Sequence, residues 1–230
     1  MMTLVQFDKS EMNSAKKRIR NFLKTNGFLP NSARMKDKNT GKTIKVKKRE
    51  YEYLFEAQHL FLRNNGYQPN WVTMNGESDN AVVQNYQTDV YTCAVYSFQM
   101  CGQYLFDWIS PSKIKKAFKT NVNGTTPANL IAGAKSLGYK VTPISRTYDA
   151  VKKCLDNGFP VIAHIQTAGN TRPACLGYKY DYGHYVHINK AKDNKFLVAD
   201  PTKGLKWCVA SQIIKATNGR DIQFYKVEIL

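Results

Sequence analysis

The chain has 230 residues, 43% hydrophobic and 22% charged, with 34 Lys and Arg against 17 Asp and Glu for a net charge of +17. That composition is globular and excludes a collagen, a coiled coil and a wholly disordered chain. No run approaches the roughly 18 apolar residues that cross a bilayer, so no membrane span is expected.

The N-terminus, Met1-Met2-Thr3-Leu4-Val5-Gln6-Phe7-Asp8, lacks a basic segment followed by an apolar one, and no secretory signal is expected. The cysteines are Cys93, Cys101, Cys154, Cys175 and Cys208. None stands in a C-x-x-C pair, which leaves zinc-ribbon and thioredoxin-like motifs without support. An odd count cannot be fully oxidised, so reduced thiols are expected, one of them a candidate nucleophile. Residues 1–78 hold 15 basic and 7 acidic residues, net +8, and residues 79–230 hold 19 and 10, net +9. Charge spread this evenly points to attraction toward acidic surroundings, or to solubility, more than to a nucleic-acid-binding arm.

The first organised feature is an internal repeat. Phe22-Leu23-Lys24-Thr25-Asn26-Gly27-Phe28-Leu29-Pro30-Asn31-Ser32-Ala33-Arg34-Met35 aligns with Phe61-Leu62-Arg63-Asn64-Asn65-Gly66-Tyr67-Gln68-Pro69-Asn70-Trp71-Val72-Thr73-Met74 at an offset of 39, with seven of fourteen positions identical. Ile19, Phe22 and Leu23 carry helical spacing over 15–25, with Asn13 or Ser14 as the expected cap. Gly27 suits a left-handed helix end, and Pro30 stops continuation. The second copy puts Tyr53, Leu54, Ala57, Leu60 and Phe61 on a helix ended by Asn65-Gly66. Between them the basic stretch from Lys36 to Arg49 reads as a hairpin or loop. Trp71 aligns with Ser32, which makes it a candidate sugar contact, or a packing residue. Gly76-Glu77-Ser78-Asp79-Asn80 reads as a linker, dividing the chain into 1–78 and 79–230.

The repeat resembles the pseudomurein-binding repeat of proteins that attach to the cell wall of methanogenic archaea. Its hallmark is an amphipathic helix followed by N-G-x-x-P-N and a short apolar strand.

Residues 81–230 read as mixed helix and strand. Helical spacing runs over 107–118, 127–137 and 151–157. Short apolar runs at 141–144, 160–165, 185–188 and 196–198 read as strands. Cys93 stands where the polar run Gln87-Thr88-Asp89 gives way to an apolar helix, and a helix N-terminus favours a thiolate. Gln87, six residues upstream, offers an amide to a developing oxyanion. Gly183-His184 opens a strand and exposes an imidazole at its edge. Asp200-Pro201 ends the next strand, where a carboxylate can orient that imidazole. His187 is the rival base, but three residues along a strand it points to the other face. His164 reads as a core residue, and Asp193 as a solvated turn. Cys101, Cys154, Cys175 and Cys208 read as small buried residues. Tyr178, Tyr180, Tyr182 and Tyr185 cluster around His184. Tyr182 and Tyr185 are the candidates for lining a substrate groove.

Gln87 to Cys93, Gly138-Tyr139, Gly158-Phe159-Pro160-Val161-Ile162, Gly183-His184-Tyr185-Val186 and Asp200-Pro201 together resemble papain-fold cysteine peptidases of the bacteriocin-processing type. The one departure is Ala94, where the family usually has glycine after the nucleophile. The resemblance implies an α+β fold: a helix-borne Cys packed on an antiparallel sheet, preceded by a small, mainly helical repeat module. It makes Cys93 the nucleophile, His184 the base, Asp200 the orienting acid and Gln87 an oxyanion donor.

Repeat and peptidase joined are similar to the pseudomurein endoisopeptidases of methanogen viruses and proviruses. That resemblance implies a lytic enzyme cutting the Ala–ε-Lys isopeptide crosslink of pseudomurein, an acidic wall polymer. It implies synthesis in the archaeal cytoplasm and action at the wall after release. A monomer is expected, with no nucleic-acid partner. No metal site is evident from ligand spacing, and no cofactor is needed for the chemistry, although a structural Ca²⁺ is compatible. The alternatives are a papain-like peptidase with another peptide or wall crosslink as target, and a basic, non-catalytic wall- or nucleic-acid-binding protein.

Overall fold

The computed structural model describes residues 5–74, 83–168, 173–218, 220 and 224–230. The linker assigned to Gly76–Asn80 lies outside them. The chain divides into two compact units, Met1–Ala81 and Val82–Leu230.

The first unit repeats one strand–helix–strand motif twice. The first copy is β1 (Gln6–Asp8), α1 (Lys9–Asn26) and β2 (Ser32–Lys36). The second is β3 (Thr43–Lys47), α2 (Lys48–Asn65) and β4 (Trp71–Thr73). The two copies exchange strands: β1 pairs antiparallel with β4, and β2 with β3.

The N-G-aromatic-x-P-N motif explains how this works. Gly27 and Gly66 take the left-handed conformation at φ 74° and 77°, and their N–H groups donate to Leu23 and Leu62 at 2.9 and 2.8 Å. Phe28 and Tyr67 then fold back edge-on against Phe22 and Phe61, with centroids 5.5 Å apart in both copies. This is the apolar contact that commonly accompanies such a helix end. The closing Asn of each motif serves the other copy: Asn31 O accepts from Lys48 N, and Asn70 O from Lys9 N, both at 2.9 Å. Each thereby satisfies an otherwise orphaned N–H of the partner helix. Phe7, Met12, Ile19, Leu23, Met35, Val46, Leu54, Phe55 and Val72 form the buried interior. α1 starts earlier than the spacing over 15–25 suggests, because Asp8 caps it by accepting from Glu11 N at 2.8 Å. The stretch from Lys36 to Arg49 holds the β2–β3 turn, β3 and the start of α2.

The second unit is built on a six-stranded antiparallel sheet. Its elements are α3 (Cys93–Tyr104), α4 (Pro111–Ala117), α5 (Pro127–Ser136), β5 (Tyr139–Ile144), α6 (Tyr148–Asp156), β6 (Val161–Gln166), β7 (Gly183–Lys192), β8 (Lys195–Asp200), β9 (Gly204–Val209), α7 (Ala210–Ala216) and β10 (Phe224–Ile229). The strand order is β5-β10-β6-β7-β8-β9. This is the expected helix-on-antiparallel-sheet architecture. Residues of alternate parity on β7 serve opposite faces, as a period of two requires. Val186 and Ile188 join Val151, Leu155 and Ile213 of α6 and α7 in one buried cluster. His187 turns to α3, where Cys101 Sγ lies 3.4 Å from its Nδ1, and Ser97 Oγ of α3 donates to the backbone carbonyl of Tyr185 at 2.9 Å. α3 therefore runs alongside β7, and its first residue meets the strand's opening.

Asp193 and Asn194 both have positive φ, 50° and 55°, and form the two-residue turn between β7 and β8. That is the exposed hairpin tip expected for Asp193. A register shift between Ile188 and Lys190 leaves Asn189 unpaired in the ladder. Its buried side chain instead accepts from Val83 N at 2.9 Å and donates to Val83 O at 3.0 Å, tying the segment before α3 to the sheet.

One expectation is corrected. Cys175 and Cys208 read as small, reduced residues, but they form a disulfide with their Cα atoms 5.5 Å apart. No spacing motif announces it, because the partners stand 33 residues apart and meet only in the folded chain. Cys93, Cys101 and Cys154 are free. No helix among the described residues is long and apolar enough to cross a membrane.

Candidate active site

Cys93 is the first residue of α3. The preceding Thr92 does not cap the helix, because its hydroxyl donates to Asp89 O at 2.8 Å. The first-turn N–H groups, and the positive end of the helix dipole, are thus left for the thiol and whatever binds near it. The N–H groups of Ala94 and Tyr185 both point at the Cys93 sulfur. Ala94 in place of glycine therefore still presents its backbone donor.

His184 is the second residue of β7 and hydrogen-bonds to Cys93. Its Nε2 is 3.0 Å from Asp200 Oδ1 and 3.0 Å from the Tyr178 hydroxyl, which leaves Nδ1 for the sulfur. Asp200 closes β8. The turn that follows it folds back so that Thr202 N and Lys203 N donate to Oδ1 at 2.7 and 3.1 Å, and Tyr178 donates to Oδ2 at 2.7 Å. Four donors on one fully buried carboxylate define an ionised group.

The electrostatics follow from this packing. Burial alone would suppress the Cys93 thiolate, but the charge of His184, its hydrogen bond and the two backbone donors outweigh burial and hold the thiol below its ordinary pKa. Burial likewise opposes protonation of His184, yet the Cys93 thiolate and Asp200 carry its pKa well above the ordinary histidine value. Burial raises Asp200, and the bonds from His184, Tyr178 and Thr202 bring it below the usual carboxylate value. The packing therefore favours the thiolate–imidazolium form of the pair, the reactive form of a cysteine nucleophile.

A cavity of about 630 Å³ opens onto this group. Its walls include Gln87, Val90, Tyr91 and Cys93 on one side, the turn from Val122 to Pro127, and Tyr182 to Tyr185 with Thr202 and Arg220 on the other. Gln87 is fixed beside Cys93 by its backbone, whose N–H donates to Pro201 O at 2.9 Å, and by its side chain, whose Nε2 donates to Asp89 O at 3.0 Å. One of the two amide hydrogens is used there, and the other remains for the cavity. The neighbouring Gln84 reaches Asp200 O at 3.0 Å, so the segment before α3 and the Asp200 turn are sewn together.

Cys93, His184, Asp200 and Gln87 are thus brought to one place. Tyr182 stands on the cavity wall, 41% exposed. Tyr185 lines the cavity too but is buried, stacked on His164 at 4.1 Å. Trp71 belongs to the first unit, on β4, half exposed with Lys38 Nζ 5.2 Å above its ring. His187 points into the interior against Cys101, and burial drops its pKa to about 3, so it is a neutral core residue. His164, read as a core residue, is buried in β6 under the Tyr185 ring and also lines the cavity.

Sequence reasoning missed the role of Tyr178. The hydroxyl touching both His184 and Asp200 stands among four tyrosines in eight residues, and only the fold selects it. Asn189 was missed as well, since it acts through a contact distant in sequence. Among the described residues, no group of three or more His, Cys, Asp or Glu is placed to hold a metal ion.

Comparison with known proteins adds the following. The model of the peptidase C39 family matches residues 81–216. The chain is 27% identical over 115 residues to the mesentericin-Y105 transport/processing ATP-binding protein MesD of Leuconostoc mesenteroides, covering 50% of this chain and 14% of that protein. The chain thus spans about a seventh of the length of that curated relative. Among solved structures, the peptidase domain of Streptococcus ComA, a bi-functional ABC transporter involved in quorum sensing, superposes with a TM-score of 0.50 at 18% identity, covering 64% of this chain and 97% of that one. A double glycine motif protease from an AMS/PCAT transporter, solved with its leader peptide, gives 0.48 at 18%, covering 64% and 92%.

Proposed function

The chain belongs to the peptidase C39 family, and from that premise we propose that it is a lytic cysteine endopeptidase cutting the Ala–ε-Lys isopeptide crosslink of archaeal pseudomurein. The observation that carries the peptidase reading is the Cys93–His184–Asp200 relay opening on the cavity. The wall reading is supported by the duplicated N-G-aromatic-x-P-N unit and by the net charge of +17, which suits an acidic polymer and makes binding salt-sensitive. In this reading the enzyme acts as a monomer, accumulates inside the producing cell and reaches the wall after the membrane is breached.

The chemistry follows from the geometry. The Cys93 thiolate attacks the alanyl carbonyl. The oxyanion is held by the Cys93 N–H and the spare amide hydrogen of Gln87. The His184 imidazolium gives its proton to the lysine ε-amine as the C–N bond breaks, leaving a thioester on Cys93. Neutral His184 then takes a proton from water, whose oxygen attacks the thioester. The carboxylate product departs, and the thiolate–imidazolium pair is restored. Asp200 holds the ring in place and stabilises its charge throughout.

The test is turbidity loss of purified pseudomurein sacculi, with wild type and Cys93→Ala compared under mild reduction. The expected result is clearing by wild type alone, with both proteins sedimenting with the wall. Clearing by Cys93→Ala removes Cys93 from the chemistry. A second reading follows from the curated relative, whose name couples transport with processing: the same site would cut a peptide leader. Intact sacculi together with cleavage of a leader peptide would select it.

A further inference from the structure

We propose that the open face of β9 is a binding platform for a carboxylate-bearing glycan, with Trp207 as its stacking surface and Lys190, Lys192 and Lys195 as its cations. The proposal deepens the wall reading, on which the choice of ligand rests. β9 is the edge strand of the sheet. Cys208 belongs to the buried cluster against α6 and α7, so Leu205, Trp207 and Val209 take the opposite face. All three are exposed, at 41%, 49% and 44%. Apolar residues gathered in one exposed row of an edge strand mark an interaction site. A bulge supplies the charge beside them. Ile188 lies in the buried cluster, and Ala191, three residues on, packs against that same cluster. The extra residue at Asn189 makes this possible. Lys190 and Lys192, which strict alternation would drive into the apolar interior, are thereby turned to the open face. The register then sets two rows across the three strands: Lys190, Leu197 and Trp207, and beside them Lys192, Lys195 and Val209.

The rows contain no Asp or Glu. Asp193 is the nearest carboxylate in sequence, at the hairpin tip, so the three lysines keep a surplus of positive charge. Among the described residues none of the three takes part in an ion pair. Strands lie about 4.8 Å apart, so Lys195 stands diagonal to Trp207 and Lys190 two strands from it. Flexible four-carbon stems carry the ammonium groups to the edge of the indole. The strand itself is fixed: Cys208 is bonded to Cys175, and Ala210 N donates to Asn194 O at 2.8 Å, holding the end of β9 against the β7–β8 turn. A pyranose ring lays its C–H face on an indole, and its carboxylate then meets an ammonium. One indole on a flat face suits a sugar better than a nucleic-acid strand, whose sites stack successive bases on several aromatics along a groove. Gly204, which pairs with Asp200, stands three residues before Trp207, so the platform lies about 10 Å along the strand from the relay. A glycan seated there holds its peptide branch within reach of the cleft.

The test is a titration of full-length Cys93→Ala, isotope-labelled at its tryptophans, with an oligomer of a hexuronic acid. Magnetic resonance reads the indole N–H signals of Trp71, Trp108 and Trp207 separately, and Trp207→Phe assigns the last. The expected result is a saturable shift of the Trp207 signal that raised salt suppresses and that the carboxyl-reduced, neutral oligomer does not produce. Lys190→Gln, Lys192→Gln and Lys195→Gln combined should weaken the affinity about tenfold, as the loss of three exposed charge pairs allows. Melting curves of each variant check the fold. A Trp207 signal that stays still, that moves equally with the neutral oligomer, or whose midpoint ignores the triple substitution overturns the proposal. A single-stranded oligonucleotide that moves the signal at lower concentration than the uronate overturns the choice of a glycan. Clearing of pseudomurein sacculi by wild type reads the lytic activity separately. Clearing with a silent Trp207 keeps the wall reading and removes the platform, whereas a Trp207 response with intact sacculi does the reverse.

Discussion

The Tyr178 hydroxyl donates to Asp200 Oδ2 at 2.7 Å, closing on the carboxylate oxygen that His184 does not use. Its own oxygen is 3.0 Å from His184 Nε2, so one phenol braces both the acid and the ring. A Cys-His-Asp relay is thereby held by a fourth side chain arriving from the segment between β6 and β7.

Tyr178→Phe removes that brace and leaves the ring in place. The buried Asp200 loses one donor but keeps Thr202, Lys203 and His184. A loss of about 1–3 kcal/mol in stability is expected, the cost of depriving a buried acceptor of a partner. Turnover should drop about tenfold, far less than the roughly 10⁴-fold expected when the orienting acid itself is replaced, as in Asp200→Asn. Chemical denaturation and kcat of the two variants check both figures, and a Tyr178→Phe enzyme as slow as Asp200→Asn would make the phenol part of the chemistry.

The ionisation of Cys93 is a property of the pair. Burial pushes the thiol up, and the charge and hydrogen bond of His184 with two backbone donors bring it below its ordinary value of 9.0. Alkylation of Cys93 by iodoacetamide should therefore be rapid at neutral pH and lost as pH falls through the lowered thiol pKa. In His184→Ala the largest favourable contribution is gone and burial remains, so the alkylation midpoint moves up. Activity should also decline on the alkaline side, as His184 loses, through its raised pKa, the proton owed to the leaving amine. Alkylation profiles of the two proteins test the sign, and an unchanged midpoint would uncouple the residues.

Much of this was legible in the residues. Cys93 at an apolar helix start, Gly183-His184 opening a strand and Asp200-Pro201 ending one gave the order of the site because each depends on local rules. The helix ends at Gly27 and Gly66 were equally local. What stayed hidden was set by long-range pairing. β9, α7 and β10 went unassigned, and β10 enters the sheet between β5 and β6, a position no local pattern announces. The disulfide and the choice of Tyr178 among its neighbours likewise exist only once β7, β8 and β9 are registered.

Gln87 is held by its backbone bond to Pro201 and its amide bond to Asp89, not by the thiol. Gln87→Ala should leave the alkylation profile of Cys93 unchanged while lowering kcat about 10²- to 10³-fold, the usual effect of removing one oxyanion donor. Steady-state kinetics beside the alkylation rate separate the two. A parallel fall in both would mean that Gln87 shapes the nucleophile instead of the transition state.

The disulfide ties the site to the redox state of its surroundings. Cys175 sits in the 3-10 turn Ala174–Leu176, three residues before Tyr178, and Cys208 is buried in β9. Cross-linking positions 33 apart in sequence contributes about 3–4 kcal/mol by the loop-entropy argument. Opening the bridge also frees the segment that delivers the Tyr178 hydroxyl to His184 and Asp200. Cys175→Ser should therefore lower the melting temperature and, at temperatures where the protein is folded, reproduce the roughly tenfold kinetic defect of Tyr178→Phe. Adding Tyr178→Phe to Cys175→Ser should then cost little more activity, because both changes remove the same support. Full additivity of the two defects in kcat would show that the bridge stabilises the fold without positioning Tyr178.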